Sequence, residues 1–269
     1  MDIKLVACDL DDTLLRPDLT IAPGCRQALQ AAVEQGIVVT IATGRMFRAA
    51  RPYAEELGIS GVPLIVYQGA WVRTLEGKTL YYRPLETEDS LMVLHTLREY
   101  NCHYHSYYQD ELYMEKLTPE GNAYSKLSGA PINLIDDLED VIRQGPLKFL
   151  IINYDYAAMD KIECDLKKRI GHKVSIVRSK PQFLEISHLQ ATKAHALQAV
   201  SDYYHIDQQN VMAIGDSYND MDMITWAGVG VAMANAPLDI REQADYVTLS
   251  NQEGGVAAAI NRYILQPQS

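Results

Sequence analysis

Short apolar runs that stop abruptly on an acidic or hydroxyl-bearing residue constrain this chain more than any other feature. Ile3 to Cys8 is such a run and ends at Asp9. Ile37 to Ala42 is another and ends at Thr43-Gly44-Arg45, and a third lies around Leu64 to Tyr67. Helical patterns separate them. Pro23 opens one in which Ala28, Leu29, Ala32 and Val33 share a face, and Gly36 closes it, the asymmetry that helix termini favour. A second helix runs from about Phe47 to Leu57. Strands apolar throughout, alternating with helices, predict a parallel sheet covered on both faces, hence an α/β fold.

The middle of the chain changes character. A helix follows Arg83, then comes the Tyr-rich stretch His103 to Glu115, where a polar break at Gln109-Asp110 suggests a hairpin. Leu147 to Tyr154 and Lys173 to Ser179 read as strands around a helix at Ala157 to Arg169, an α+β pattern. The α/β rhythm returns with a helix from Lys193 to Tyr204, a strand at Val211 to Ile214, a helix from Asp220 to Trp226 and a strand at Val229 to Ala232. The expected organisation is a core built from residues 1–83 and 185–269, with residues 84–184 inserted as a second domain. At 269 residues the chain is long enough for two modest domains.

Charge narrows the partners. Lys and Arg number 24 against 35 Asp and Glu, a formal net charge of −11, the wrong balance for displacing counterions from a nucleic acid. No stretch approaches the roughly 20 apolar residues of a membrane span. No charged segment, apolar stretch and cleavage site succeed one another at the N-terminus. The expectation is a soluble, cytoplasmic protein with no membrane partner; its oligomeric state is left open. Cys8, Cys25, Cys102 and Cys164 are scattered without CxxC spacing, so they read as reduced packing residues.

The polar groups at the strand ends are where chemistry collects. In a parallel sheet the carboxyl ends of the strands line the ligand crevice, so Asp9, Asp11, Thr43 and Asp216 converge. Asp9 and Asp11, spaced i, i+2 in extended chain, point the same way. Two carboxylates facing one space repel unless a cation lies between them or one holds a proton, and Asp216 as a third favours the cation. An oxygen-only cluster without His or Cys suits magnesium (Mg2+) and argues against zinc. Thr43-Gly44 adds a hydroxyl and backbone N–H groups at an expected helix start, and Lys193 opens another helix. Each feature alone has an ordinary reading as a turn, a connection or a solvated helix end. In order, and each at an element boundary, they describe a site for a phosphoryl group.

The segments ACDLDDTLL, IATGR, the Lys193 region and GDSYND resemble the four motifs of the haloacid dehalogenase (HAD) superfamily. The position of the inserted module resembles that of the Cof-type subfamily. The resemblance implies a Rossmann-like HAD core with a large α+β cap (C2 type), and a Mg2+-dependent phosphatase acting on small phosphomonoesters through an aspartyl-phosphate. It implies Asp9 as nucleophile and metal ligand, and Asp11 as acid/base and metal ligand through its carbonyl. The Leu10 N–H, Thr43, Gly44, Lys193 and Asn219 would hold phosphate, Asp216 would complete the metal site and Asp220 would support it, while Arg45 reads either as reaching the substrate or as an exposed helix-start arginine. Gln68-Gly69-Ala70 stands where relatives often carry Asn-Gly-Ala. The rival readings are a phosphosugar mutase and a signalling receiver that stores a phospho-aspartate. The partner is a small phosphorylated metabolite, for which a sugar phosphate and flavin mononucleotide are both open. Tyr104, Tyr107, Tyr108 and Tyr113 read as packing of the cap sheet before they read as a substrate wall. His103 and His105 share a face but lack an evident third metal ligand.

Overall fold

The computed structural model describes residues 2–59 and 61–266. The chain forms two compact units. Met1–Gly44, Ala50–Tyr81 and Thr192–Ser269 make the first; Arg45–Ala49 and Tyr82–Ala191 make the second.

The N-terminal part runs β1 (Leu5–Cys8), α1 (Pro23–Glu34), β2 (Val38–Ile41), α2 (Phe47–Leu57), β3 (Leu64–Val66), β4 (Trp71–Arg73) and β5 (Thr79–Tyr82). Next come α3 (Thr87–Leu97), β6 (His103–Tyr108), β7 (Glu111–Met114), α4 (Pro119–Ser128), β8 (Ile132–Leu134), α5 (Glu139–Ile142), β9 (Lys148–Ile152), α6 (Tyr156–Ile170), β10 (Val174–Lys180) and β11 (Phe183–His188). The chain then returns through α7 (Lys193–Tyr203), β12 (Val211–Gly215), α8 (Met221–Trp226), β13 (Val229–Ala232), α9 (Leu238–Gln243), β14 (Tyr246–Val247) and α10 (Gly255–Ile260).

The first unit is built on a five-stranded sheet of order β14-β13-β12-β1-β2, parallel throughout. Every residue of β1 and β12 is buried, which is why both read as unbroken apolar runs. Leu5, Ala7, Val211 and Ala213 pack with Ala196, Leu197 and Val200 of α7 and Met223 of α8. α1 packs with α10. Registers Cys8↔Ile214 and Cys8↔Ile41 align the carboxyl ends of β12, β1 and β2. Asp9, Thr43 and Asp216 therefore stand on one edge.

The expected third parallel strand differs. Ala42 and Ile65 form only a single parallel bridge, and β3 pairs antiparallel with β4 in a separate sheet of order β3-β4-β5. β4 (Trp-Val-Arg) and β5 (Thr-Leu-Tyr-Tyr) mix apolar with polar residues, so they lack the unbroken apolar run that marks β1 in the sequence.

The second unit is a six-stranded sheet of order β10-β11-β9-β6-β7-β8, antiparallel except for β7 with β8. One face carries Phe149, Ile151, Leu184 and Ile186 against Val93, Leu94 and Leu97 of α3 and Met159, Ile162 and Leu166 of α6. The fold class is thus α/β with a parallel core and an additional α+β cap region, as the sequence implied. A division at 185 would cut through β11, whose pairing with β9 and β10 holds the chain in this sheet to His188.

Candidate active site

Asp9 is the first residue past β1 and only 4% exposed; its N–H donates to the Ile214 carbonyl at 3.0 Å. The strand ends at Cys8, and Asp11 lies inside the turn that follows, not on the continuation of β1 that the i, i+2 spacing suggests. Leu10–Leu14 form a wide turn closed by Leu15 N–H donating to the Leu10 carbonyl at 2.8 Å. Within it Asp11 is extended (φ −73°, ψ 126°) and Asp12 is left-handed (φ 62°). The same turn carries Thr13, whose hydroxyl donates to Asp216 Oδ1 at 2.6 Å. Two motifs separated by 203 positions are thereby joined.

Lys193 is the first residue of α7, yet its side chain is fully buried rather than solvated. Its Nζ donates to Asp9 Oδ1 at 2.6 Å and also to Asp220 Oδ1. The other oxygen of Asp220 accepts from the backbone N–H groups of Asp216 and Ser217, both at 3.0 Å. Asp220 thus has both oxygens committed: one steers the lysine, and the other folds the 216–220 loop back onto itself. Asp222 Oδ2 accepts from Ala194 N–H at 3.0 Å, tying α8 to the start of α7.

Asp9, Asp216 and Asp220 each place one carboxylate oxygen within 4.8 Å of the others, a group that could hold a metal. Asp11 is not in that group. Three carboxylates against one ammonium leave two negative charges in a buried space. Burial pushes the Asp9 carboxyl well above the usual carboxylate range; Lys193 opposes this, while Asp220, Asp216 and Asp11 reinforce it. Asp216 is pushed up to about 7 by burial first and Asp220 second, against the Thr13 hydrogen bond. Burial pulls the Lys193 ammonium down, but Asp220 and Asp9 outweigh it and hold it well above its ordinary value. An all-oxygen donor set with two uncompensated charges fits a hard divalent cation, Mg2+ among them. With Asp220 committed to hydrogen bonds, Asp9 and Asp216 are the carboxylates suited to ligation.

Thr43 is buried, and its N–H donates to the Ile65 carbonyl at 2.9 Å. Thr43-Gly44 does not begin a helix as expected, because α2 starts only at Phe47 after a bend. An anion held there would meet the bend's own groups and not a helix end. Asn219 Nδ2 donates to Gln68 Oε1 at 3.0 Å. Leu10 is buried at the head of the wide turn. Arg45 is half-buried and belongs to the second unit. Sequence reasoning missed Thr13 and Asp222, and it marked Gln68 only as a departure from Asn, without a role. Thr13 comes two positions after Asp11, a signal open to reading; Gln68 has none beyond its departure from Asn.

In the second unit, His103 Nε2 and His105 Nδ1 lie 2.7 Å apart and bond each other, which occupies the atoms a metal would need. His105 Nε2 bonds Tyr107 Oη at 2.8 Å, and His103 Nδ1 bonds Thr118 Oγ1 at 2.7 Å. Tyr107 is fully buried, while Tyr104 and Tyr113 pack against the apolar cluster of the sheet. Lys148 Nζ donates to Glu185 Oε2 at 2.7 Å, both buried.

Residues 6–260 match the family model of haloacid dehalogenase-like hydrolases. The chain is 31% identical over 265 residues to the 5-amino-6-(5-phospho-D-ribitylamino)uracil phosphatase YcsE of Bacillus subtilis, covering 98% of this chain and 97% of that protein. A solved haloacid dehalogenase-like hydrolase from Bacteroides thetaiotaomicron is 32% identical, with a TM-score of 0.87 over 98% of this chain and 100% of that one. A Thermotoga maritima structure is 27% identical, with a TM-score of 0.85 over 97% of each chain.

Proposed function

The chain belongs to the haloacid dehalogenase-like hydrolases, as a phosphatase of the Cof type, and from that premise we propose a Mg2+-dependent phosphomonoesterase that works through an aspartyl-phosphate. The observation that carries the reading is the buried triad in which Lys193 Nζ bridges Asp9 and Asp220 beside Asp216.

Lys193 takes Asp9 Oδ1, so the other oxygen of Asp9 is the one that attacks phosphorus. As the Asp9 O–P bond forms, the ester P–O bond breaks, and the Asp11 carboxyl gives its proton to the departing alkoxide oxygen. In the second half, the Asp11 carboxylate takes a proton from water. The water oxygen bonds phosphorus, the Asp9 O–P bond breaks, and inorganic phosphate leaves with Asp9 restored. Asp11 ends as it began, protonated. The Leu10 N–H, the Thr43 hydroxyl, Gly44 N–H, Lys193 and Asn219 hold the phosphoryl oxygens and receive the charge that spreads over them. Mg2+, held by Asp9, Asp216 and the Asp11 carbonyl, would supply the positive charge that lets an anionic nucleophile approach an anionic ester. Asp220 positions Lys193 and the 216–220 loop.

The substrate class is a small phosphomonoester such as a sugar phosphate. A relative named for a phosphorylated ribityl side chain on a uracil ring supports a phosphate carried on a polyol. Phosphate release from a generic aryl phosphate, with and without Mg2+, tests the reading. Asp9→Asn is expected to abolish release while folding normally, and Asp11→Asn to slow it and let phosphoenzyme accumulate. Wild-type turnover in purified Asp9→Asn would refute it.

A further inference from the structure

Three consecutive residues between β3 and β4 have positive φ: Tyr67 at 53°, Gln68 at 57° and Gly69 at 93°. Left-handed backbone is costly for a residue with a side chain, and it persists only where the surroundings impose it. Here the turn is pinned at both ends. Gln68 N–H donates to the Thr43 carbonyl at 3.1 Å. Gly69 lies so close to the start of α7 that a Cβ there would collide with the Thr192 carbonyl and sit 2.9 Å from Lys193 N. The outcome is that the Gln68 side chain, only 8% exposed, is thrown across the site. Its Oε1 accepts from Asn219 Nδ2. Its carboxamide lies over Gly44, where a Cβ would come within 2.8 Å of Gln68 Cδ and closer still to Nε2.

The Gln68-Gly69 turn therefore touches the three segments that hold the phosphoryl group in the proposed function: Gln68 meets Thr43-Gly44 and Asn219, and Gly69 meets Thr192-Lys193. We propose that Gln68 is a positioning residue which locks the Asn219 carboxamide against the Thr43-Gly44 bend, so that Asn219 meets the phosphoryl oxygens without reorganising. This rests on the phosphatase reading given above. An amide nitrogen has two hydrogens; the bond to Gln68 uses one and leaves the other for an anion. The reach matters. An asparagine here would be one methylene shorter, and Gly44 is bare where the longer amide lies. Fixing a donor in advance favours binding by removing the rotamer freedom that phosphate would otherwise have to quench.

The test compares wild type with Gln68→Asn, Gln68→Ala, Asn219→Ala and the double variant Gln68→Ala/Asn219→Ala. Binding of inorganic phosphate in Mg2+ is measured by calorimetry, and kcat and KM are measured for an aryl phosphate. Asn tolerates the left-handed region, so Gln68→Asn keeps the turn and changes only the reach. It is expected to melt like wild type but bind phosphate about tenfold more weakly, the scale of one hydrogen bond to a charged group. Adding Gln68→Ala to Asn219→Ala should change phosphate affinity by less than about twofold, because both act through one amide. Unchanged phosphate affinity in Gln68→Asn, or fully additive losses in the double variant, would overturn the proposal. So would a change confined to aryl phosphate kinetics, which would make Gln68 a leaving-group contact. Asp9→Asn in the same assay separates the two levels. If it still releases phosphate, the phosphatase mechanism falls; if it is dead while the Gln68 variants match wild type, only the role of Gln68 falls. A wild type that releases phosphate from the aryl ester yet binds no inorganic phosphate overturns the role of Gln68 and leaves the phosphatase reading in place; one that does neither overturns both.

Discussion

Lys193 holds two carboxylates at once from a fully buried position, so its removal exposes what the site costs to fold. Breaking one side of a buried ion pair leaves an uncompensated charge and destabilises by about 3–5 kcal/mol. Lys193→Met is expected to lose that much in urea unfolding at neutral pH, and added Mg2+ should restore part of it by neutralising Asp9 and Asp216. A variant as stable as wild type in EDTA would contradict this account of the triad. The same physics operates on Lys148 and Glu185, which pair at 2.7 Å with both side chains almost wholly buried. Lys148→Met alone should cost about 3–5 kcal/mol, whereas Lys148→Met/Glu185→Leu should recover most of the loss, since an apolar pair needs no counter-charge. Additive losses in that double variant would mean packing, and not charge, holds this part of the second sheet. Neither pair announces itself in the sequence. Each joins residues far apart in the chain, 184 positions for Lys193 with Asp9 and 37 for Lys148 with Glu185.

At the scale of elements, β6 and α4 are joined by a chain of bonds from Thr118 through His103 and His105 to Tyr107. Thr118 caps α4, accepting from Gly121 N–H at 3.0 Å, so the helix start and the strand share one hydroxyl. Burial pulls His103 down to about 4, against the nearby Glu120 carboxylate. His105 is lowered well below its ordinary value, by burial first and then by His103 and Lys148. Unfolded histidine takes up its proton near pH 6.5. Between pH 6.5 and about 4 the folded protein therefore binds fewer protons than the unfolded chain, and unfolding is favoured as pH falls. The stabilisation is complete above pH 6.5 and declines by about 1 kcal/mol per pH unit for each such histidine below it. Urea midpoints at pH 7 and pH 4.5 check this: His103→Gln should show a shallower decline than wild type, and an equal slope would remove His103 from the cause. The i, i+2 spacing of the two histidines is visible in the sequence and places both on one face of β6. It cannot show that their rings bond each other, because that depends on what α4 brings over the sheet.

For the whole molecule, the two compact units should respond differently to metal. A ligand that binds only the folded state adds about 2.7 kcal/mol at a hundredfold excess over its Kd. Mg2+ is thus expected to raise the calorimetric transition of the first unit, which contains Asp9 and Asp216, and to leave that of the second unit in place. Asp216→Asn should abolish most of the shift, and a shift that survives would put the cation elsewhere. No helix among the described residues is long and apolar enough to cross a membrane. The continuous apolar strands and the polar residues that end them are legible because burial on both faces leaves an alphabet of few residue types, and a parallel sheet gathers the residues just past its strands on one edge. That reasoning locates Asp9, Thr43 and Asp216 from local sequence alone. It fails where local pattern underdetermines geometry: the wide turn that takes Asp11 off the strand, the short hairpin strands β4 and β5, and the bend that separates Thr43-Gly44 from the start of α2. The links that assemble the site are Thr13 to Asp216, Lys193 to Asp9 and Asp220, and Gln68 to Asn219. They exist only after the sheet has aligned its strands, since hydrogen bonds between residues so far apart in the chain are set by packing and carry no periodicity of their own.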